Sequence, residues 1–156
     1  MPSGMASDSI TYRLVLGIPE KKLGTKLKTC YSAIFEDANI AFFENRFKEK
    51  HDFISVLAFK DQTLVGFKIG YRYDDITFYS WIGGVLERYR KQGIGQQLFS
   101  RLEQELKLHN YSKLRTKSMN RFKAMIVLNI KNNLDIKQVY VNSKRQEKII
   151  FEKYLR

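Results

Sequence analysis

The stretch VLERYRKQGIGQQL, Val85–Leu98, decides which fold this chain is predicted to adopt. An apolar, β-rich segment runs into a bend that contains Gly93 and Gly95, and a helical pattern begins at once. Glycines let the backbone turn tightly and leave no Cβ in the way of a ligand. The first N–H groups of a helix have no partner within it, and with the helix dipole they attract anions. The bend therefore predicts a cradle for a phosphate or diphosphate, beside the basic side chains of Arg88–Lys91.

Other phosphate-binding motifs fit this bend less well. The chain contains no GxxxxGK[ST] sequence, so a P-loop nucleotidase is not supported. A dinucleotide-binding fingerprint needs a third small residue where Leu98 stands. A glycine pair alone is also compatible with a strand-to-helix turn that binds nothing. The elements on either side of the bend are therefore needed to choose between a phosphate-binding bend and such a turn.

The hydrophobic periodicity predicts the elements on either side. Alternating or continuous apolar runs indicate strands, and apolar spacings of three and four indicate helices. The predicted strands are Ile10–Leu16, Phe53–Phe59, Leu64–Tyr73, Ile76–Leu86, Lys113–Lys117, Ile136–Val141 and Lys148–Tyr154. The predicted helices are Glu20–Lys50, broken at Glu36-Asp37 with Asp37 as the second N-cap, a helix through Ile94, Leu98, Leu102 and Leu106, and Arg121–Lys131. The order β-α-α-β-β-β-α-β-α-β-β predicts a mixed α/β fold with helices on both faces of a sheet.

Length and composition limit the classes of protein. The 156 residues are 44% hydrophobic, which suits one domain over residues 10–156 behind a loose leader at 1–9. Cys30 is the only cysteine, which excludes an internal disulfide and a cysteine-rich zinc site, and we expect no metal. No apolar run approaches the ~20 residues of a membrane span and no signal peptide opens the chain, so a cytoplasmic protein is expected. The net charge of +12 indicates an anionic partner.

Placed between its strand and its helix, the bend resembles the diphosphate-binding motif Q/R-x-x-G-x-G/A of the GNAT superfamily of acetyl-CoA-dependent N-acetyltransferases. Arg90, Gly93 and Gly95 match that motif. The predicted element order is similar to the GNAT topology from about Ile10 onward, and the stretches FYSWIGGVL and MNRFKAMIVLNIKNNLDI resemble small, largely uncharacterised bacterial members. The resemblance implies a twisted, mostly antiparallel mixed sheet of about seven strands, splayed at the cofactor site, with about four helices on both faces.

The resemblance also implies where acetyl-CoA binds. Trp81–Leu86 is expected to diverge from Leu114–Lys117, and the pantetheine arm is expected to bond to the backbone of Val85 and Leu86. Asn120, near the start of the following helix, is a further expected contact. The backbone groups expected to hold the diphosphate belong to Arg90, Lys91, Gln92, Gly93, Ile94, Gly95 and Gln96.

A basic stretch between Leu106 and Leu134 supplies candidates for the 3′-phosphate of coenzyme A. It carries no acid, and for any single lysine a solvated position is the alternative interpretation. Its basic residues are Lys107, Lys113, Arg115, Lys117, Arg121, Lys123 and Lys131.

Acetyl transfer to an amine needs a neutral amine and a donor to the thioester oxygen. The expected donor is the backbone N–H of Val85 or Leu86. The side chains weighed as a base, each with a surface position as the alternative, are Glu44, Glu87, His51 and His109. Deprotonation through a chain of water molecules is the preferred hypothesis.

The leaving thiolate also needs a proton. Many GNAT enzymes use a tyrosine five residues before the phenylalanine of a Gly-Phe pair. Here that pair reads Asn133-Leu134, and the tyrosine position is Asn129, whose amide has no proton to give. Tyr140, Tyr79 or water is left as the proton donor, so a catalysed release step is in doubt.

The sequence thus predicts an acyltransferase that moves an acetyl group from acetyl-CoA to a primary amine by direct transfer in a ternary complex. The acceptor is open among a small amine, an antibiotic-like polyamine and a peptide or protein amine. The aromatic residues expected to frame it, most of them as core, are Phe42, Phe43, Tyr71, Tyr73, Phe78, Tyr79 and Trp81.

Two alternatives stay open beside the enzyme. One is a basic nucleic-acid or ribosome-associated binding module, although no recognised nucleic-acid motif appears. The other is an acyl-CoA-binding GNAT fold without catalysis, suggested by Asn129. A monomer or homodimer without a membrane partner is expected.

Overall fold

The structure is a computed structural model that describes residues 9–155, so the predicted leader lies outside the described residues except for Ser9. The strands are β1 (Ile10–Leu16), β2 (Ile54–Lys60), β3 (Thr63–Arg72), β4 (Thr77–Val85), β5 (Lys113–Ser118), β6 (Asp135–Val141) and β7 (Glu147–Tyr154). The helices are α1 (Lys21–Ile34), α2 (Ile40–Glu49), α3 (Ile94–Leu108) and α4 (Lys123–Lys131), with a 3-10 turn at Glu87–Tyr89.

These strands form one sheet in the order β1-β2-β3-β4-β5-β7-β6. Within residues 9–155 all neighbouring pairs are antiparallel except β4 and β5, which run parallel because α3 crosses over between them. The predicted fold class, a mostly antiparallel mixed sheet with helices on both faces, is confirmed.

The sheet opens between β4 and β5. Thr77–Ser80 pairs with Lys113–Thr116, and the pairing stops there. β4 nevertheless continues beside β3 to Val85, while β5 continues beside β7 to Ser118. On β4 the divergence from β5 therefore begins at Trp81, as expected. On β5 only the last two residues, Lys117 and Ser118, diverge from β4, because Leu114–Thr116 is still paired with it.

A β-bulge lies where the opening begins. Ile69 of β3 faces Ile82, whereas the next residue, Gly70, faces Ser80, so Trp81 has no partner in register. Such an extra residue bends a strand and increases its twist. The bulge thus turns the last part of β4 away from the direction of β5.

Two apolar clusters cover the two faces of the sheet. On one face, α3 buries a stripe with a spacing of four against the sheet, and α4 contributes Ile126 and Leu128 at the margin. On the other face, α1 and α2 bury Leu27 and Phe43, and Cys30 is 3% exposed there, as expected for a small buried hydrophobe. The stripe of α3 consists of Ile94, Leu98, Leu102 and Leu106.

Two local predictions were wrong. The N-cap of α2 is Asn39, whose Oδ1 accepts the N–H of Phe42 at 3.0 Å, and not Asp37. Asp37 instead pairs with Arg121 at 3.3 Å. The last helix begins at Lys123 rather than at Arg121. None of the described helices is both long enough and apolar enough to span a membrane.

Candidate active site

The bend after β4 has the geometry that its glycines predict. Gly93 adopts φ +82°, a left-handed conformation that glycine reaches without strain, and Lys91 adopts φ +62°. The Gly93 carbonyl accepts the N–H of Gln97 at 3.0 Å, which is the first hydrogen bond of α3. All backbone donors of the helix before Gln97 are therefore left to other partners.

A run of six consecutive N–H groups, from Lys91 to Gln96, makes no hydrogen bond to any residue in the range 9–155. The run is one residue shorter than predicted, because the N–H of Arg90 donates to the Glu87 carbonyl at 3.2 Å. Arg90 also folds back, and its Nε donates to the Val85 carbonyl at 2.9 Å. The bend thus presents a row of unpaired donors at the positive end of a 15-residue helix, an arrangement that attracts anions.

The β4 edge beside the opening presents a second set of backbone groups. The N–H of Leu86 donates to the Val65 carbonyl at 2.8 Å, so it points toward β3. Since alternate residues of an antiparallel strand point to opposite edges, the N–H and C=O of Val85 and of Gly83 point toward β5. The Leu86 carbonyl accepts from Tyr89 at 2.9 Å. The Leu86 N–H is therefore occupied by β3, the backbone groups that face β5 belong to Gly83 and Val85, and the predicted contact at Leu86 stays a prediction.

Two buried polar side chains near the opening have no partner. Asn129 is fully buried, and neither its Nδ2 nor its Oδ1 makes a hydrogen bond within the described chain. Ser118, at the end of β5 that pairs with β7 but not with β4, has a buried Oγ in the same condition. Asn129 follows Leu128 on α4, and Leu128 Cδ2 lies 3.9 Å from where a Cβ on Gly95 would be. A buried amide without a partner costs roughly 1–3 kcal/mol, so the Asn129 amide is able to accept and donate a hydrogen bond to a further group.

Comparison with known proteins identifies the family. Residues 21–128, more than half of the chain, match the model of the Acetyltransferase (GNAT) family. The chain belongs to the GNAT acetyltransferase family. The predicted family and the predicted enzyme class, an acyltransferase, are confirmed.

Solved structures show the same fold over almost the whole chain. The ribosomal-protein-S18-alanine N-acetyltransferase from Escherichia coli is 14% identical, with 93% of this chain and 94% of that chain covered and a TM-score of 0.78. Ard1 from Thermoplasma volcanium is 16% identical, with coverages of 94% and 98% and a TM-score of 0.77. Arabidopsis thaliana NAA60, solved with acetyl-CoA, is 18% identical, with coverages of 94% and 99% and a TM-score of 0.74. No curated protein sequence matches the chain.

The candidate bases of this GNAT chain all lie at the surface. Glu87 is exposed in the 3-10 turn. Glu44 is bound to Lys28 at 2.7 Å, and that hydrogen bond lowers the pKa of the Glu44 carboxyl, which makes it a weaker base. His51 is exposed, and His109 caps α3 with its Nε2 3.1 Å from Glu105.

Tyr79 lies in β4 immediately before the opening. It is opposite Tyr71 on β3 and Arg115 on β5, and its ring centroid lies 5.4 Å from that of Tyr71. Burial raises the pKa of Tyr79 well above the usual value for a phenol, and Tyr71 adds to the effect. Tyr79 therefore keeps its proton at neutral pH, and the raised pKa makes it a weak acid and excludes it as a base.

Asn120 does not stand free as a cofactor contact. Its Nδ2 donates to Oε1 of Glu147 at the start of β7. The residue is exposed and precedes α4, which begins three residues later, so it caps no helix. Its predicted role stays a prediction.

The acceptor-side aromatic residues form a cluster around Trp81, and the cluster contains a cation. The guanidinium of Arg46 on α2 lies 5.0 Å from the ring centroid of Phe42 and 5.3 Å from that of Trp81. Phe78 does not belong to the cluster, because its ring lies on the α3 face, 5.3 Å from Tyr111. The sequence does not reveal Arg46, since a single arginine on an amphipathic helix carries no signal of its aromatic neighbours.

A second missed residue is Lys68 in β3. It is only 6% exposed, and its Nζ lies 5.2 Å from the ring centroid of Phe99 on α3. Burial lowers the pKa of Lys68 to about 8. The run LVGFKIGY is apolar at both odd and even positions, so both faces of this strand are expected to be buried. A lysine within such a run is the signal that could have revealed a buried amine.

The basic stretch is partly neutralised by acids from other elements. Glu152 on β7 binds Lys113 at 3.7 Å and Arg115 at 2.5 Å, and Lys107 and Arg121 pair with acids of α3 and the α1–α2 connection. The members of the stretch with no ion pair inside residues 9–155 are Lys117, Lys123 and Lys131. The candidates for the 3′-phosphate are thus reduced to these three exposed lysines.

Proposed function

We propose that this GNAT chain transfers an acetyl group from acetyl-CoA to a primary amine, directly and within a ternary complex. The observation that carries the proposal is the row of six unpaired N–H groups, Lys91–Gln96, beside the parted strands β4 and β5. The row suits the diphosphate of coenzyme A, and the gap suits its pantetheine arm.

The donor half of the site is made mainly of backbone. The pantetheine amides extend the β4 edge by hydrogen bonding to the backbone of Gly83 and Val85. The Val85 carbonyl already accepts Arg90 Nε, but a carbonyl oxygen can accept two hydrogen bonds. The Val85 N–H is the donor to the thioester oxygen as negative charge develops there. The orphaned groups of Asn129 and Ser118 support the proposal, because a pantetheine amide supplies both a donor and an acceptor.

The transfer step itself is simple in atoms. The amine nitrogen attacks the thioester carbonyl carbon, an amide C–N bond forms and the C–S bond breaks. The amine loses one proton and the departing thiolate gains one. Direct transfer is supported by Cys30, because burial raises the pKa of this only thiol to about 12 and so suppresses the thiolate that an acyl-cysteine intermediate needs.

A chain of water molecules removes the proton of the acceptor amine, and a side chain gives only weak assistance in protonating the leaving thiolate. The carboxylates and imidazoles weighed as bases all lie on the surface or in ion pairs, which supports a water chain for deprotonation. Tyr79 holds its proton and is the candidate donor to the thiolate. A thiol of ordinary pKa, about 8.5, also leaves without help at a useful rate.

The experiment uses Gly95→Asp. A Cβ at Gly95 meets only Leu128 Cδ2, at 3.9 Å, and an acid in the first turn stabilises a helix, so the variant folds. Its carboxylate occupies the anion site, and we expect acetyl-CoA affinity to fall by roughly tenfold or more. Ala41→Asp, in the first turn of α2, makes the same charge change away from the loop and leaves the affinity unchanged. The readouts are the shift in melting temperature with acetyl-CoA and the release of free thiol with a panel of primary amines.

The outcomes separate the alternatives. If acetyl-CoA does not stabilise the wild-type protein, or stabilises both variants equally, the proposed donor site is wrong. If acetyl-CoA binds at the loop and no amine in a panel of polyamines, amino acids and peptides is acetylated, the protein is an acyl-CoA-binding GNAT fold without catalysis.

A further inference from the structure

The acceptor face of the sheet holds a guanidinium that aromatic rings fix in place. Arg46 lies over Phe42, Trp81 and Tyr71, with Cζ 5.0, 5.3 and 5.9 Å from the three ring centroids. Its Nη1 donates to the Tyr71 hydroxyl at 2.8 Å. Ring faces attract a cation electrostatically, so the side chain is held in one position before any ligand arrives.

This cation has no carboxylate partner in the described chain. Within residues 9–155 no Asp or Glu oxygen lies within 4.0 Å of an Arg46 nitrogen. Burial raises the pKa of the Tyr71 hydroxyl, and the charge of Arg46 and its hydrogen bond oppose that rise more than Glu49 adds to it. A guanidinium has five N–H donors, and the Tyr71 hydroxyl accepts one of them.

The position of the cation matters as much as its charge. Trp81 is the bulged residue at which β4 leaves β5, and Arg46 lies over its ring. Arg46 belongs to α2, on the face of the sheet opposite to α3. With the thioester in the opening, as the proposed function has it, an acceptor that comes from the α2 face passes this guanidinium.

We propose that Arg46 binds a carboxylate of the acceptor, which is thus a small primary amine that also carries a carboxylate group, as an amino acid does. The inference rests on the proposed acetyl transfer and specifies its acceptor. The planar fork of a guanidinium matches a carboxylate in two parallel hydrogen bonds, while the surrounding rings contact the carbon skeleton.

The same observations disfavour a polyamine acceptor. A polycation needs local acids to offset a protein of net charge +12. Around Trp81 three cations lie over ring faces, namely Arg46, Lys50 over Tyr71 at 5.7 Å and Arg115 over Tyr73 at 5.1 Å, whereas Glu49 is the one acid that acts on Tyr71 within the described residues. Arg115 is already paired with Glu152, and of the other two cations Arg46 is the one whose side chain is held by three rings and a hydrogen bond to Tyr71.

The test compares amino acids with their own carboxamides as acceptors, at saturating acetyl-CoA. A carboxamide keeps the amine and the side chain but loses the negative charge. We expect kcat/KM to favour the acid by roughly tenfold or more, as bidentate charged pairs discriminate at that level. Arg46→Gln abolishes the preference mainly through KM, and Arg46→Lys, which keeps the charge but not the fork, retains part of it. Lys48→Gln, exposed on the same helix, leaves the preference unchanged.

Each result decides the matter. Equal or better turnover of the carboxamides, or an acid preference that survives in Arg46→Gln, overturns the inference. If no compound is turned over, calorimetry of the amino acids with the enzyme–CoA complex replaces kinetics, and absence of binding likewise overturns it. An acetyl-CoA melting shift in Arg46→Gln equal to that of the wild type shows that the variant is folded. If acetyl-CoA does not raise the melting temperature of the wild-type protein, the proposed function itself is wrong.

Discussion

Lys68 is a residue whose burial has a measurable cost. Its amine lies among apolar side chains between β3 and α3, and a ring contact with Phe99 is its electrostatic compensation. Burial lowers the pKa of Lys68 from 10.5 to about 8. At neutral pH the side chain is therefore still protonated, and keeping that charge out of water opposes folding by about 3 kcal/mol, since each unit of pKa is about 1.4 kcal/mol.

We predict that Lys68→Met stabilises the protein at pH 7 by up to about 3 kcal/mol. Because the folded pKa is below the unfolded one, the unfolded chain binds more protons between pH 8 and 10.5, so the wild type gains stability as the pH rises through that window. The advantage of the variant should therefore shrink from pH 8 toward pH 10.5. Urea unfolding of both proteins across this range measures it.

Lys22→Met is the matched control for this change. Lys22 is exposed on α1, so its replacement removes the same charge without altering a buried one. We expect its effect on the free energy of unfolding to stay within about 0.5 kcal/mol at each pH. A Lys68→Met variant that is less stable at pH 7, or whose difference from the wild type does not change with pH, would contradict the assignment.

At the scale of elements, local patterns predicted more than pairing did. The glycine bend and the spacing-of-four stripe of α3 are set by residues close in sequence, and both appear as predicted. The pairing of β4 with β5 ends just before the bulge at Trp81, and that bulge arises from the pairing of β4 with β3 on its other side. Such a feature depends on strands that are distant in sequence. The occupied N–H of Leu86 follows from the same register, and a sequence pattern does not contain it.

The start of α2 shows how a local signal can be read wrongly. Asp37 and Asn39 are both good N-cap residues, and only the backbone path decides between them. Asn39 has an extended conformation with its Oδ1 on the Phe42 N–H, while the Asp37 side chain is 72% exposed and pairs with Arg121. Composition alone cannot rank two acceptors that lie two residues apart.

We predict that Asn39→Ala lowers the free energy of unfolding by about 1 kcal/mol, because it leaves a helix donor without its cap. Asp37→Ala removes only an exposed ion pair, so we expect a change of less than about 0.5 kcal/mol. Urea denaturation monitored by circular dichroism compares the two. A larger loss in Asp37→Ala than in Asn39→Ala would show that the cap is assigned to the wrong residue.

In the whole molecule, the sheet separates the two halves of the proposed reaction. The diphosphate loop begins α3, which covers one face together with α4, while Arg46 and its rings lie under α2 on the other face. The gap between β4 and β5 is the passage that joins the two faces. The anionic donor approaches a chain of net charge +12, so long-range attraction should assist its binding.

We predict that the net positive charge attracts acetyl-CoA through its phosphate groups, so that an uncharged thioester is not attracted. Raising NaCl from about 50 to about 400 mM should lower kcat/KM for acetyl-CoA by roughly three- to tenfold, since the Debye length contracts by more than half. The thioester of N-acetylcysteamine carries no phosphate, and with the same acceptor its kcat/KM should hardly change. The ratio of the two donors removes any effect of salt on the acceptor.

The three exposed lysines without an ion pair should account for part of this slope. Replacing Lys117, Lys123 and Lys131 by Gln should weaken acetyl-CoA binding at low salt and flatten the salt dependence. The matched triple change at Lys21, Lys22 and Lys48, also exposed, removes the same charge far from the loop and should alter the slope less. Equal slopes for acetyl-CoA and the uncharged thioester would show that the net charge does not act on the donor. Equal effects of the two triple variants would mean that total charge, and not these three positions, attracts it.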